Sequence, residues 1–188
     1  MARLILSDCF GVVLDEIAPY WFQDHFSSPE KAKELKDAYF VPFDLGEISF
    51  DEVMEKMGEE LHFDPKDLKE FWDSHVKIDH ALLDYYDSLR KKGDVIALAS
   101  NAGYPFLDNI LDKHGLRKHF DKVFISCHFH VAKPDLAFYR LCLKEFQEPF
   151  SEVFMIDDSK KNLIEVPKLG IKPILYRDLK ELKAILGD

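Results

Sequence analysis

Five short apolar runs, separated by helical patterns, constrain the fold of this chain more than any other feature. Each run is continuous and rich in β-branched or aromatic residues, which is typical of strands buried on both faces of a parallel sheet. Strands that alternate with helices form such sheets through right-handed crossovers, so the sequence predicts an α/β fold. The five runs are Leu4–Leu6, Val95–Ala99, Val123–Ile125, Val153–Ile156 and Ile174–Tyr176.

The interval between the first two runs is much longer than a crossover helix requires, at about 80 residues. Ser49 followed by Glu52 three residues later predicts a helix start within it. The pattern predicts a core of residues 1–15 and 87–188 with a helical insertion at 16–86. Apolar residues recur at helical spacing in this interval, as in Val53, Met57 and Leu61, then Leu68, Phe71 and Trp72, then Ile78, Leu82, Tyr86 and Leu89.

Charge and composition exclude several classes of partner. The 188 residues include 25 Lys and Arg against 35 Asp and Glu, which gives a net charge of −10. Because binding to nucleic acid or to anionic lipid needs a basic surface, we expect neither a nucleic-acid nor a membrane partner. The hydrophobic fraction of 47% is that of a globular protein, and no apolar run approaches the roughly 18 residues of a membrane helix.

Three cysteines, at positions 9, 127 and 142, suggest the compartment. Their number is odd and they form no CxxC motif, so the sequence indicates neither a disulfide framework nor a zinc site. The start of the chain does not resemble a signal peptide, because Asp8 interrupts the apolar segment. We therefore expect a reducing, cytoplasmic location.

Polar residues follow four of the predicted strands, and ligands bind beyond the carboxyl ends of strands in open parallel sheets. A carboxylate can attack phosphorus and hold the phosphoryl group, and carboxylates from two loops can bind magnesium. Lysine and hydroxyl donors can offset charge on the transferring oxygens. The residues suit phosphoryl transfer; they are Asp8 and Asp15, Ser100 and Asn101, Lys133, and Asp157, Asp158 and Asn162.

These segments resemble the four signatures of the haloacid dehalogenase (HAD) superfamily, in order and spacing. The matching segments are Asp8-Cys9-Phe10-Gly11-Val12 with Asp15, Ala99-Ser100-Asn101, Lys133-Pro134-Asp135, and Ile156-Asp157-Asp158 with Asn162. The segment Phe43–Ser49 is similar to part of the cap in glucose-1-phosphatase-like proteins and in the epoxide hydrolase N-terminal domain. The resemblance implies a Rossmann-like, three-layer core with a parallel sheet and a small α-helical cap inserted after the first strand.

The resemblance also implies a magnesium ion as cofactor. Asp8 would be the nucleophile that forms an aspartyl-phosphate, and its other oxygen would bind the metal. The backbone carbonyl of Phe10 would be a second ligand. Asp158 would be the main ligand from the far loop, with Asp157 beside it, directly or through water.

The same resemblance implies a binding site for the phosphoryl group. Asn162 and Asp15 are expected to contact the residues that bind metal and substrate rather than the metal or substrate itself. Lys133 and Ser100 are expected to act in catalysis by binding the phosphoryl oxygens. The full set expected to contact substrate is Ser100, Asn101, Lys133, and Cys9 and Phe10, whose backbone N–H groups follow the nucleophile.

Phe10 departs from the pattern of the family's phosphatases, which usually carry a general acid/base aspartate at that position. A positioned proton donor typically contributes about 10²–10⁴ in rate, so we expect slow turnover. The favoured substrate is a small phosphate monoester, similar to a sugar phosphate. One alternative is a 2-haloacid dehalogenase, since those enzymes carry an aromatic residue there. They need no metal, however, whereas the adjacent carboxylates of Asp157 and Asp158 require a cation to relieve their repulsion. The other is a catalytically silent protein that binds a phosphorylated ligand.

Two further segments carry weaker expectations. Glu16–Trp21 leads from the nucleophile loop into the cap and is expected to supply substrate contacts, whereas Trp21 and Phe22 are expected in the core of the cap. His128 and His130 are expected on one side of an extended segment, either exposed to solvent or near the substrate. The sequence leaves the substrate and the oligomeric state open.

Overall fold

The fold is built on a five-stranded parallel sheet, seen in a computed structural model that describes residues 1–18 and 28–187. The strand order is β3-β2-β1-β4-β5, so the first strand lies at the centre. All four pairings are parallel, which confirms the predicted α/β architecture. The strands are β1 (Leu4–Ser7), β2 (Val95–Ser100), β3 (Lys122–Ile125), β4 (Val153–Asp157) and β5 (Ile171–Leu175).

Helices follow every strand of the sheet in the described part of the chain. In its described residues, the long interval after β1 contains four α-helices and a π-helical turn before the helix that leads into β2. In chain order the α-helices are α1 (Pro29–Leu35), α2 (Val41–Asp44), α3 (Phe50–Leu61), α4 (Pro65–Ser74), α5 (His80–Lys91), α6 (Phe106–Lys113), α7 (Leu136–Lys144), α8 (Lys160–Leu163) and α9 (Leu179–Leu186). The π-helical turn is Lys36–Phe40, and 3₁₀ turns cover Leu116–His119, Ser126–His128 and Val166–Leu169.

The sheet separates two hydrophobic layers, which gives the three-layer arrangement expected from the sequence. Successive side chains of a strand point to opposite faces, so Ile5 packs on one side of β1 while Leu4 and Leu6 pack on the other. Helices α5, α6 and α9 cover the side of Ile5, and α7 and α8 cover the side of Leu4. All three β1 residues are fully buried.

The last strand begins earlier than the sequence predicts. Strand β5 covers Ile171–Leu175 rather than Ile174–Tyr176. The sequence pattern missed its start because exposed Lys172 and Pro173 interrupt the apolar run. Proline and lysine are tolerated at this place because β5 is an edge strand. Between β4 and β5, the chain forms the short helix α8 and then a 3₁₀ turn that ends at Gly170.

The insertion is helical, as the sequence predicts. At the start of α3, Ser49 and Glu52 form the expected reciprocal cap, since the Ser49 hydroxyl accepts from the Glu52 N–H at 3.2 Å and Glu52 accepts from the Ser49 N–H at 2.7 Å. None of the helices in the described ranges is long and apolar enough to cross a membrane.

The boundary between core and cap stays a prediction. Helix α5 runs unbroken across the expected boundary after residue 86, and its Tyr86 hydroxyl shares a 2.8 Å hydrogen bond with Ser7 at the end of β1. Because Tyr86 is fully buried on the sheet side of α5, we propose that the core resumes with α5 rather than at residue 87.

Candidate active site

The segment after β1 holds Asp8 in a tight backbone turn at the carboxyl end of the central strand. The N–H of Asp8 continues the ladder by donating to the Ile156 carbonyl at 2.8 Å, and the Cys9 N–H donates to Asp8 Oδ1 at 2.7 Å. Gly11 has a φ of +75°, and a Cβ built there would overlap the carboxylate of Asp158. Only glycine therefore allows this turn to approach the loop after β4 so closely.

Lys133 joins the loops after β1 and β4. Its Nζ lies 2.8 Å from Asp8 Oδ1 and 2.7 Å from Asp157 Oδ2, and its side chain is only 1% exposed. Asn101 fixes the backbone of Lys133 from the end of β2, because its side-chain amide donates to the Lys133 carbonyl and accepts from the Lys133 N–H, both at 2.8 Å. Residues from three strand ends thus converge on one lysine, two on its ammonium group and one on its backbone.

Burial and charge oppose each other in this cluster. Burial raises the pKa of Asp8 well above its ordinary value, against the lowering effect of Lys133, and the charge of Asp157 raises it further. Burial acts to lower the pKa of Lys133, but the charges of Asp8 and Asp157 outweigh it, and that pKa stands above its ordinary value. Burial and the charge of Asp157 raise the pKa of Asp158.

Three carboxylates lie close enough to share one cation. Asp8, Asp157 and Asp158 each offer an oxygen, and these atoms lie within 4.8 Å of one another. Asp157 is held in place by Asn162, whose Nδ2 donates to both carboxylate oxygens at 3.0 and 3.1 Å, and by the Ser159 N–H at 2.8 Å. Carboxylate oxygens from two loops are the donors that magnesium prefers, so the cluster fits that ion chemically.

The remaining predicted site residues differ in their burial and in whether they face the cavity. Phe10 lines the cavity above Asp8, whereas the Cys9 side chain is fully buried and only its backbone faces the nucleophile. Ser100 is also fully buried, and its hydroxyl makes a long 3.5 Å hydrogen bond to the Asn101 carbonyl. Asp15 points away to solvent, 4.0 Å from Lys77. The roles of all the predicted site residues, Ser100 and Asp15 included, stay predictions.

A cavity of about 720 Å³ opens above the cluster, between the strand ends and the inserted helices. One wall carries four rings that touch in sequence, which we call the aromatic row: Phe10, Phe106, Trp72 and Phe40. Their successive ring centroids are 6.1, 5.6 and 5.3 Å apart. Trp72 is almost fully buried, and its Nε1 has no hydrogen-bond partner among the described residues. The cavity therefore combines a charged floor with an apolar wall that carries one unsatisfied donor.

Five charged cavity residues were not among the predicted site residues. They are Lys36 and Asp44 from the inserted helices, Glu16 from the segment after the nucleophile turn, and Lys160 and Lys161 from α8. Both lysines of α8 are exposed. Only the resemblance of Phe43–Ser49 to a cap segment and the suspicion on Glu16–Trp21 pointed toward any of them.

The two histidines do not share one side of an extended segment. His128 ends a 3₁₀ turn and pairs with Asp108 at 2.9 Å, whereas His130 has a φ of +54° and contacts the Leu45 carbonyl at 2.8 Å. Within the suspected stretch Glu16–Trp21, residues 19–21 lie outside the described ranges, as does Phe22.

Comparisons with known sequences agree with this geometry. The family model of the haloacid dehalogenase-like hydrolases matches residues 2–164. The chain is 23% identical to drimenol cyclase drtB of Aspergillus calidoustus over 97% of its own length, and 33% identical to bifunctional epoxide hydrolase 2 of Sus scrofa over 61%. It spans 35% and 22% of those two proteins. It is also 26% identical to phosphoglycolate phosphatase of Vibrio parahaemolyticus, over 63% of this chain and 54% of that one.

Solved structures share the whole fold. A HAD family enzyme of Bacteroides thetaiotaomicron superposes with a TM-score of 0.82 at 22% identity, covering 100% of this chain and 99% of that one. The same enzyme in complex with magnesium and inorganic phosphate gives a TM-score of 0.78 at 24% identity, covering 97% and 99%. At these identities the likeness establishes the fold alone.

Proposed function

The chain belongs to the haloacid dehalogenase-like hydrolase family, and we propose that it is a magnesium-dependent phosphatase of small phosphate monoesters. The observation that carries the proposal is the cluster at the strand ends, where a buried lysine lies 2.8 Å from Asp8 and 2.7 Å from Asp157. Such a cluster provides a nucleophile, a cation for the phosphoryl oxygens and ligands for a metal. Phosphate and magnesium in the Bacteroides relative support the same assignment.

Magnesium would be held by Asp8, by Asp158, by the backbone carbonyl of Phe10 and, directly or through water, by Asp157. When bound, it supplies positive charge that offsets the charge of the phosphoryl oxygens and of the carboxylates. The fit rests on the three carboxylates within 4.8 Å of one another, which include both buried and cavity-facing groups.

The chain's own residues would carry the phosphoryl group in two steps. Asp8 attacks phosphorus to form an aspartyl-phosphate, and water then attacks phosphorus to release phosphate and regenerate Asp8. Lys133 neutralises charge on the phosphoryl oxygens, with Ser100 and the N–H groups of Cys9 and Phe10 as further donors. Asn101 orients Lys133 through its two backbone hydrogen bonds, so it prepares the site before substrate binds.

The cavity walls suit an organic group with one apolar face and at least one hydrogen-bond acceptor. The aromatic row would pack against the apolar face, and the exposed ammonium groups of Lys36 and Lys161, which line the same cavity, would donate to the acceptor. A sugar phosphate has both features, since a pyranose ring presents C–H groups on its faces and hydroxyl oxygens at its edge. We therefore keep a sugar phosphate-like ester as the proposed substrate class.

Phe10 suggests slow turnover and favours one alternative activity. Its ring has no proton to give to a leaving group, so esters with poor leaving groups would react slowly. Carbon–halogen hydrolysis needs no such proton, which makes 2-haloacid dehalogenation the second candidate. A protein that binds a phosphorylated ligand without turnover is the third.

The remaining expectations also form part of this proposal. The partner is a small phosphorylated metabolite, with no nucleic acid and no membrane, because a net charge of −10 disfavours both polyanions and anionic lipid. The three cysteines are unpaired and buried, which suits a reducing compartment such as the cytoplasm.

Phosphate release from a panel of monoesters tests the proposal. The panel contains sugar phosphates, phosphoglycolate and p-nitrophenyl phosphate, each assayed with magnesium and with EDTA, for the wild type and for Asp8→Asn. We expect release that requires both magnesium and Asp8. Halide release from 2-haloacids that persists in EDTA would establish the dehalogenase instead. Magnesium-dependent binding of a phosphate analogue without turnover of any ester would indicate the silent protein.

A further inference from the structure

A carboxyl group of the inserted helices faces the cavity, in which Phe10 stands at the position where related phosphatases carry a proton-donating aspartate. Asp44 ends α2 and lines the same cavity as Asp8. The described residues give its carboxyl neither a hydrogen bond nor a close ion pair. Asp157, by contrast, accepts hydrogen bonds from Lys133 and Asn162 on its carboxylate oxygens.

The backbone around Asp44 is fastened to the core at three places. The fully buried Ser126 hydroxyl donates to the Asp44 carbonyl at 2.5 Å. Phe43 packs so tightly on Gly103 that a Cβ at Gly103 would overlap its ring, and a Cβ at Gly46 would lie 2.7 Å from the Cys127 carbonyl oxygen. The backbone that carries the Asp44 carboxyl is therefore fixed relative to the core.

We propose that Asp44 is the general acid/base of this enzyme, giving a proton to the leaving-group oxygen and later taking one from the attacking water. The inference rests on the proposed phosphatase function and deepens it. It assigns to the inserted helices a task that Phe10 cannot perform. It also links activity to the contact between α2 and the core, because that contact holds Asp44 in the wall of the cavity that contains the nucleophile.

Both steps balance without any further reactant. In the first, a bond forms between an Asp8 oxygen and phosphorus while the bond from phosphorus to the ester oxygen breaks, and Asp44 protonates that oxygen. In the second, the Asp44 carboxylate accepts a proton from water as the water oxygen bonds to phosphorus, and the bond to Asp8 breaks. The products are an alcohol and phosphate, and Asp44 ends protonated as it began.

The charges around Asp44 are compatible with this role. Burial raises the pKa of Asp44 to about 7, while the ammonium groups that face it act in the opposite direction. A carboxyl with such a pKa can both give and take a proton near neutral pH. The charged or titratable groups that face it are Lys36 from the π-helical turn, Lys133 from the core loop, Lys161 from α8, Glu16 after the nucleophile turn and Cys127 beside Ser126.

The test compares two esters that differ in their need for a proton. The p-nitrophenolate ion leaves unprotonated, whereas an alkyl phosphate releases an alkoxide that must be protonated. For Asp44→Asn we expect kcat/KM on the alkyl phosphate to fall about 10²–10⁴-fold, and kcat/KM on p-nitrophenyl phosphate to change less than about tenfold. The second step still lacks its base, so the variant should release p-nitrophenolate in a burst of one equivalent per enzyme.

Two further variants identify the residue. Glu47→Gln removes an exposed acid of the same segment and should leave both values unchanged. Phe10→Asp introduced into Asp44→Asn should raise kcat/KM on the alkyl phosphate at least tenfold above that of Asp44→Asn alone. The alkaline limb of the wild-type pH profile for the alkyl phosphate, expected near pH 7, should disappear in Asp44→Asn.

Several results would overturn the inference. Equal kcat/KM losses on both esters would indicate a purely structural role for Asp44, and no loss on either would exclude it from proton transfer. If Glu16→Gln, and not Asp44→Asn, lost kcat/KM on the alkyl phosphate but not on p-nitrophenyl phosphate, the role would belong to Glu16. Failure of the proposed function is recognised separately, because the wild type would then hydrolyse neither ester in an Asp8-dependent way.

Discussion

Replacing Lys133 by Met removes the one ammonium that two buried carboxylates share. Its side chain is 1% exposed, and those of Asp8 and Asp157 are 11% and 0% exposed. Exposed ion pairs contribute about 0–1 kcal/mol, but removal of one member of a buried pair costs about 3–5 kcal/mol because a buried charge is left without compensation. The burial found here assigns Lys133→Met to the second class.

We therefore expect the metal-free variant to lose about 3–5 kcal/mol of unfolding free energy at pH 7. For a domain of this size that corresponds to a fall in Tm of roughly 6–20 °C. Urea unfolding in EDTA, followed by circular dichroism, measures the loss. Lys161→Met is the matched control, because Lys161 lines the same cavity but is exposed, and its loss should stay within about 0.5 kcal/mol.

The loss should also depend on pH in one direction. Lys133 lowers the pKa of Asp8, which burial already raises, so Lys133→Met raises that pKa further. A carboxyl whose pKa is higher in the folded chain keeps its proton there, so stability falls as pH rises above its unfolded value near 3.8. The gap between variant and wild type should be small near pH 4 and grow toward pH 8. A loss below about 1 kcal/mol at pH 7, or a gap that widens toward acid, would refute the reasoning.

Three further changes test other parts of the account. Gly11→Ala should cost about 1–3 kcal/mol and abolish phosphate release, since its φ of +75° and the overlap with Asp158 force the turn away; a fully active, equally stable variant would contradict this. Tyr86→Phe removes the buried hydrogen bond to Ser7 and should lower the unfolding free energy in urea by about 1–3 kcal/mol without changing KM. Phe10→Asp should raise kcat for alkyl phosphates much less in the wild type, where Asp44 already supplies the proton, than in Asp44→Asn, and an equal gain in both would show that Asp44 does not supply it.

The core of the fold was predictable because its signals are local. The continuous apolar runs at Leu4–Leu6 and Val153–Ile156 identify strands buried on both faces, and ligand sites lie at the ends of such strands. The prediction placed the start of β5 too late, because Lys172 and Pro173 break the apolar pattern although an edge strand tolerates them.

The cavity residues were harder to predict because they depend on contacts between distant parts of the chain. Asp44 is held at the cavity in part by the contact of its carbonyl with Ser126, which lies 82 residues away. Trp72 reads as an ordinary core residue in a helical repeat, and only the structure reveals a buried Nε1 without an acceptor in the described part of the chain. His130 adopts a left-handed conformation that the sequence gives no reason to expect of a histidine.

Trapping the phosphoryl group on the enzyme tests the central claim most directly. Protein quenched in acid during turnover of p-nitrophenyl phosphate with magnesium is digested, and the peptide that contains Asp8 is analysed by mass spectrometry. The account predicts one phosphoryl group on Asp8 of the wild type with magnesium. It predicts none after incubation of the wild type with the same ester in EDTA, and none in Asp8→Asn. Phosphorylation of another residue, or magnesium-dependent phosphate release that continues undiminished in Asp8→Asn, would contradict it.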